Sequence, residues 1–260
     1  MLYNKWISKA LLGLAGVASL YGCGGASTPV TSQSAPIVKT FSDGSGAYKV
    51  SLSNGMSGHA IYDSSANIPS NFSLDDYPLT HTAPSGSFTV REQTYYNWST
   101  GNGVVTGHAL VYSYGYPGGS TASMMFYDTP DNNVNILSLG SGGTTPTSGI
   151  YTYVTKVGVL KNGQPSSLVI DTINVQTDFN NNTFTTGTYT ANNSFILTGN
   201  GTFNSSTNEL NSSNLNLSIN GGVYQTTLKG EIHGHRSSGI LHTNESTPVY
   251  IGAFIGSTTN

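Results

Sequence analysis

From about residue 40 onward, apolar and polar residues alternate with a period of two, and turn-forming residues recur every 8–14 positions. No window shows a sustained period of 3.6, so the pattern predicts strands throughout. It is clearest after residue 149. Tyr151, Tyr153, Val157 and Val159 share one face before Asn162-Gly163, a strong hairpin signal. Leu168 and Ile170 share a face, whereas Ile173 and Val175 continue on the opposite phase, which predicts a β-bulge near Asp171-Thr172. Leu215, Leu217 and Ile219 alternate with polar neighbours, Tyr224, Leu228 and Ile232 share a parity, and so do Val249, Ile251, Ala253 and Ile255. Eight strands are expected, near 150–161, 167–178, 182–190, 194–203, 208–219, 222–233, 239–244 and 248–256. The turns between them are short, which makes neighbours antiparallel, and eight meandering strands can close into a barrel filled by their own side chains. The weaker face is Asn, Ser and Thr, which predicts a soluble barrel over a membrane-spanning one, whose outer band would be apolar.

The region 41–145 reads as a smaller β-rich domain ahead of the barrel domain at 146–260. Its strands are expected at Ala47–Leu52, Ser87–Gln93, Val104–Tyr114, Ala122–Tyr127 and Asn135–Leu139. Long connections rich in Pro, Gly and Ser at 62–86 and 115–121 are where binding function tends to sit. The expected fold class is therefore all-β, a small N-terminal β-rich domain followed by an eight-stranded antiparallel soluble barrel. The run 141–149 is the expected boundary.

The N-terminus carries a different signal. Lys5 and Lys9 precede a short apolar run, Ala10–Leu20, too short to span a bilayer, and Leu20-Tyr21-Gly22-Cys23 follows. This resembles the lipobox of bacterial lipoproteins, and Cys23 is the only cysteine in the chain. Residues 1–22 are expected to be a lipoprotein signal peptide, Cys23 the lipidated residue, and 23–40 a flexible tether. No Asp follows Cys23, so the resemblance implies the outer membrane.

Composition narrows the function. Charged residues are only 8% of the 260, and nine basic against twelve acidic residues give −3. Nucleic-acid partners need clustered Lys and Arg, so none is expected. A single cysteine excludes an intramolecular disulfide and a Cys-rich metal site.

The run Leu228-Lys-Gly230-Glu-Ile-His-Gly234, then Gly239 and Val249-Tyr-Ile-Gly252-Ala-Phe254-Ile-Gly256, resembles the end of transferrin-binding-protein-B-like lipoproteins. Asp178-Phe179, Phe184, Gly187 and Gly201-Thr-Phe203 fit the same family's strand pattern. A Pro-x-Ala-x-Glu-x-Gly-Gly segment of that family is replaced here by Gly234-His-Arg-Ser-Ser-Gly239. The resemblance implies a "handle" domain joined to one barrel, as in smaller hemophilin-like members. It also implies display on the cell surface by a dedicated outer-membrane translocon. The expected function is non-enzymatic: binding a host protein or glycan in support of host association (colonisation). Haem capture by a hemophilin-like protein is one alternative, and a structural or assembly lipoprotein facing the periplasm another.

Candidate chemistry is sparse. His59 and His108, both in Gly-His-Ala near aromatic strands, are candidate haem ligands, since haem needs an imidazole and an apolar cleft. No cofactor is otherwise expected. His233 and His235, with His242 near them, are weak metal candidates at i and i+2. Tyr95, Tyr96 and Trp98 are candidate partner-binding aromatics, and the Tyr112/Tyr114/Tyr116 alternation could serve a core or a binding face. No nucleophile–base motif stands in the context a hydrolase would need.

Overall fold

The computed structural model describes residues 47–52, 55–62, 120–126, 135–189 and 193–258 with their side chains. It also gives the backbone of the strand residues 37–40, 79–82, 88–100, 103–114, 127–128 and 134. The fold is all-β, in two sheets. Residues 34–260 form one compact unit.

The second sheet in the chain is a closed antiparallel barrel. Its strands are β9 (Ile150–Lys161), β10 (Val169–Asp178), β11 (Thr183–Thr188), β12 (Phe195–Asn204), β13 (Glu209–Ile219), β14 (Gly222–His233), β15 (Arg236–Thr243) and β16 (Tyr250–Thr258). Each pairs with its sequence neighbour, and β16 returns to β9. The interior is packed with side chains, among them Tyr153, Val157, Phe184, Phe195, Leu197, Leu217 and Phe254. Edge-to-face aromatics close both ends. Phe179 meets Tyr151 at 5.5 Å and Phe203 at 4.9 Å, and Tyr224 meets Tyr250 at 5.0 Å. Across β11–β13 most outward positions are Thr, Asn and Ser, exposed or partly so, with Ile196 an exposed apolar exception. An apolar interior behind a polar wall is the reverse of a lipid-facing barrel.

Asn182, Asn208 and Asn220 adopt positive φ in the turns, the conformation that short polar side chains tolerate. The Asn220-Gly221 turn joins the paired Ile219 and Gly222 directly, with φ of 51° and 79°.

The first sheet has eight strands: β1 (Ile37–Thr40), β2 (Ala47–Ser51), β3 (Ser57–Ile61), β4 (Leu79–Thr82), β5 (Phe88–Thr100), β6 (Gly103–Tyr114), β7 (Thr121–Asp128) and β8 (Val134–Ser141). Their order is β1-β2-β3-β8-β7-β6-β5-β4, so the last strand inserts beside the third.

Several expectations need correction. Strand β1 falls inside the stretch 23–40 read as tether, and its Val38 pairs with Val50 of β2. Strand β3, which carries His59, and β4, inside the connection 62–86, were not expected as strands. Strand β5 runs on to Thr100 past a bulge between Gln93 and Tyr96. The Asn162-Gly163 turn is not a tight hairpin, because a 3-10 turn at Pro165–Ser167 lengthens the connection.

No bulge lies at Asp171-Thr172, since β10 pairs with β9 without a break from Val169 to Asp178. The phase change has another cause. Ile173 and Val175 point into the barrel, while Leu168 and Ile170 pack outward beneath the first sheet. The barrel's bulges both lie in β13, one opposite Thr198–Thr202 of β12 and one between Ser212 and Leu215.

The same two-sided burial explains β16. Tyr250 and Phe254 fill the barrel, whereas Ile251, Ala253 and Ile255 face Ala122, Met124, Phe126 and Ile136 of the first sheet. Strand β15 and nearly all of β16 are therefore buried on both faces. Glycines let the layers approach. A Cβ at Gly158 would come within 2.8 Å of Phe126 Cε2 of the first sheet, while inside the barrel one at Gly230 would come within 2.5 Å of Phe254 Cζ.

Candidate functional site

Ser138, His59 and Lys49 occupy one row of the first sheet, since His59 pairs with both Lys49 and Ser138. That row faces the barrel. Ser138 Oγ donates to the Phe254 carbonyl at 2.8 Å and accepts from the Gly239 amide at 2.9 Å, so one hydroxyl bridges the β15–β16 ladder. Both bonds are buried, where leaving either group unpaired would cost about 1–3 kcal/mol.

Beside it lies the most charged contact among the described residues. Glu209 and Glu231 are direct cross-strand partners on β13 and β14. Like charges opposite each other destabilise a ladder. The first sheet supplies the counter-charge. Lys49 pairs with Glu209 and lies 3.0 Å from Glu231 Oε1, while Ser57 Oγ donates to Glu231 Oε2 at 2.6 Å. Burial works to raise the Glu231 pKa, but the Ser57 bond and the charges of Lys49 and of protonated His59 outweigh it and hold it below the usual value. Burial works to lower the Lys49 pKa, and its two carboxylate partners raise it on balance.

His59 is 2% exposed, and burial lowers its pKa to about 4, so the ring is neutral at neutral pH. His233 is also buried. Its Nε2 lies 3.0 Å from Ser238 Oγ and 3.9 Å from Glu231 Oε2, and burial lowers its pKa too. Its ring lies flat against Gly140 of β8, where a Cβ would come within 2.6 Å of Nε2. The arrangement binds two sheets together through charge and hydrogen bonds.

The residues expected to carry function are dispersed. His59 lies on β3 and His108 on β6, with β8 and β7 between them. The His59 row reaches β6 at Tyr112, through Ser138 and Met124, and His108 is further along that strand, opposite Asp128. Strand spacing and rise put the two roughly 20 Å apart, so they do not converge on one iron. His233 and His235 do not share a face either. The chain turns at Gly234 (φ 62°), leaving His233 buried and His235 exposed, with Nδ1 at 3.1 Å from Thr258 Oγ1. Buried His242 Nδ1 lies 3.2 Å from the Thr243 carbonyl. Among the described residues no three His, Cys, Asp or Glu side chains converge as metal ligands.

Tyr95, Tyr96 and Trp98 lie on β5, with Tyr96 opposite Gly107 and Trp98 opposite Val105. Tyr112 and Tyr114 lie on β6, opposite Met124 and Ala122. The side chains of these tyrosines, Trp98 and His108 are outside the described residues, as are Cys23 and Tyr116 altogether. Two shallow clefts occur on the barrel. One overlies the bulges, lined by Thr202, Asn211, Ser213, Asn214 and Lys229, and the other lies beneath 145–147 over Phe179 and Phe203.

Sequence reading missed Lys49, Ser57, Glu209, Glu231 and Ser138. One signal was available: in a chain with 8% charge, Glu231 stands mid-strand in Leu-Lys-Gly-Glu-Ile-His. A charge there needs a partner from another layer.

No family model matches the chain, and no curated protein does. Among solved structures, the chain is similar to the apo haemoglobin receptor HpuA from Kingella denitrificans, with 13% identity and a TM-score of 0.42, covering 77% of this chain and 93% of that one. It is also similar to a point variant of the vaccine antigen transferrin binding protein B (TbpB) from Haemophilus parasuis Hp5, with 10% identity and a TM-score of 0.41, covering 64% of this chain and 37% of that one.

Proposed function

We propose that this chain is a lipid-anchored outer-membrane protein, surface-displayed, that binds a host protein or glycan without catalysis. The observation that carries the reading is the packing of the barrel. Tyr153, Phe184, Phe195, Phe254 and their neighbours fill it, so it is a rigid support and recognition falls to the outer surface. The lipobox at Leu20-Tyr-Gly-Cys23 supports anchoring through acyl chains. The aromatics Tyr95, Tyr96 and Trp98 on β5 are the residue types that dominate interface hot spots. By size, lipobox and charge-poor composition, the reading extends to a colonisation role like that of the nematode intestinal localisation lipoprotein NilC, with export through a dedicated translocon.

Two measurements test it. Cells expressing the native chain incorporate labelled palmitate into it and retain it in the membrane fraction, and Cys23→Ser abolishes both; a Cys23→Ser chain that stays membrane-bound overturns the anchor. Fluorescent lipid-free chain binds host cells, and Trp98→Ala with Tyr96→Ala weakens binding at least tenfold; unchanged binding moves the contact surface off β5. Protease or glycosidase pretreatment of the host cells then separates a protein partner from a glycan.

A further inference from the structure

Among the described residues, the ion pairs between the sheets lie at one corner. Lys49, Ser57 and His59 come from β2 and β3, and Glu209, Glu231 and His233 from β13 and β14. The other part of the interface, Met124, Phe126 and Ile136 against Ile251, Ala253 and Ile255, is apolar. Protons act on the two parts unequally. The apolar part has one buried titratable side chain at its edge, His242 of β15, opposite Ile251, with Nδ1 3.2 Å from the Thr243 carbonyl. The corner is built of titratable groups.

We infer that this corner is an acid-released latch: acidification frees β2 and β3, with β1, from the barrel, while β7 and β8 stay packed on β15 and β16. The mechanism follows from the charges that face one another. Above the titration range, Lys49 separates the opposed carboxylates of Glu209 and Glu231, and His59 and His233 are neutral. On acidification the two carboxylates lose the charge that holds Lys49. The two imidazoles gain protons in a buried corner that already contains Lys49, with Lys229 of β14 also acting on His59. The open form takes up the imidazole protons first, and hydration of the new cations favours it. Glycine spacing makes the separation local. Gly58, paired with Leu139 at the β3–β8 seam, has no side chain to pack across it, so opening breaks the sheet at that seam and exposes the β2 and β3 amides.

The size of the effect follows from His59. Its pKa is about 4 in the closed form and 6.5 when free. Linkage then raises the opening constant about 70-fold between pH 7.5 and pH 4.5 from this one group. The inference is independent of what the protein binds.

Hydrogen exchange of the full chain, followed by mass spectrometry at pH 7.5 and pH 4.5 and corrected for intrinsic rates, tests it. The expected result is a loss of protection of about 70-fold or more over 47–61, with 122–126, 136–140 and the barrel strands unchanged. His59→Leu should cut that pH-dependent loss at least tenfold, and Glu231→Gln should loosen 47–61 already at pH 7.5. Protection over 47–61 that holds at pH 4.5, or that falls only together with the barrel, overturns the latch. An undiminished pH response in His59→Leu overturns the assignment of His59.

Discussion

Gly158→Ala tests the contact that joins the two sheets. Gly158 lies on β9 at a position where the barrel wall meets the first sheet, and the Phe126 ring rests on its backbone. An added methyl would stand 2.7 Å from Ile170 Cδ1 and 2.8 Å from Phe126 Cε2, closer than carbon atoms pack. Phe126 is 5% exposed and cannot swing into solvent without giving up its burial. The ring must shift by roughly 1 Å, and overpacking of this kind costs about 1–3 kcal/mol. Urea unfolding followed by circular dichroism reads the loss as a lower midpoint at unchanged slope. Phe126→Leu creates a void and is itself destabilising, by about 1 kcal/mol. In the double variant the shorter side chain leaves room for the methyl, so the two costs do not add, and the cycle gives a favourable coupling of about 1 kcal/mol. A Gly158→Ala chain within about 0.5 kcal/mol of the native one, or strictly additive costs, would refute the ring-on-glycine contact.

Other consequences can be checked in the same way. Tyr153→Phe removes a buried hydroxyl that donates to the Gly234 carbonyl at 3.1 Å, and should cost about 1–2 kcal/mol in urea unfolding. Stability should fall as pH drops from 6.5 toward 4: the folded state holds His59 below its unfolded pKa, so the unfolded chain takes the proton first, for a loss of about 3 kcal/mol by pH 4. The lowered pKa values of Glu209 and Glu231 act in the same direction at the acid end, and urea midpoints measured across that range check both. Hemin added to the chain should give the same absorbance in His59→Ala as in the native protein, because the His59 ring is enclosed between the sheets. A Soret band lost in that variant would show that the ring reaches ligand.

The barrel was legible in the sequence because, Ile196 apart, its strands obey one rule, apolar inward and polar outward, from β11 to β13. Legibility failed where both faces are covered. The outward Ile170, Ile251 and Ile255 are as apolar as the inward Val175 and Phe254, so periodicity cannot say which face is which and a change of partner reads as a bulge. The first sheet was harder still. Its strands β1, β3 and β4 have four, five and four residues, too few for a period to register. The insertion of β8 beside β3 is set by long-range pairing that no local pattern encodes. The histidines illustrate the same limit. Gly-His-Ala occurs at both His59 and His108, but only topology places three strand spacings between them. The Lys49–Glu231 contact spans 182 residues of chain and becomes visible only when the two sheets are brought together.

The proposed anchoring through Cys23 would leave the folded part of the chain displayed to a partner outside the cell. Protease added to intact cells, with the chain followed by antibody, tests it most directly. Surface display gives digestion in intact cells, with a periplasmic control protein untouched. A chain protected in intact cells and digested only after the outer membrane is permeabilised would contradict it and place the protein on the periplasmic side.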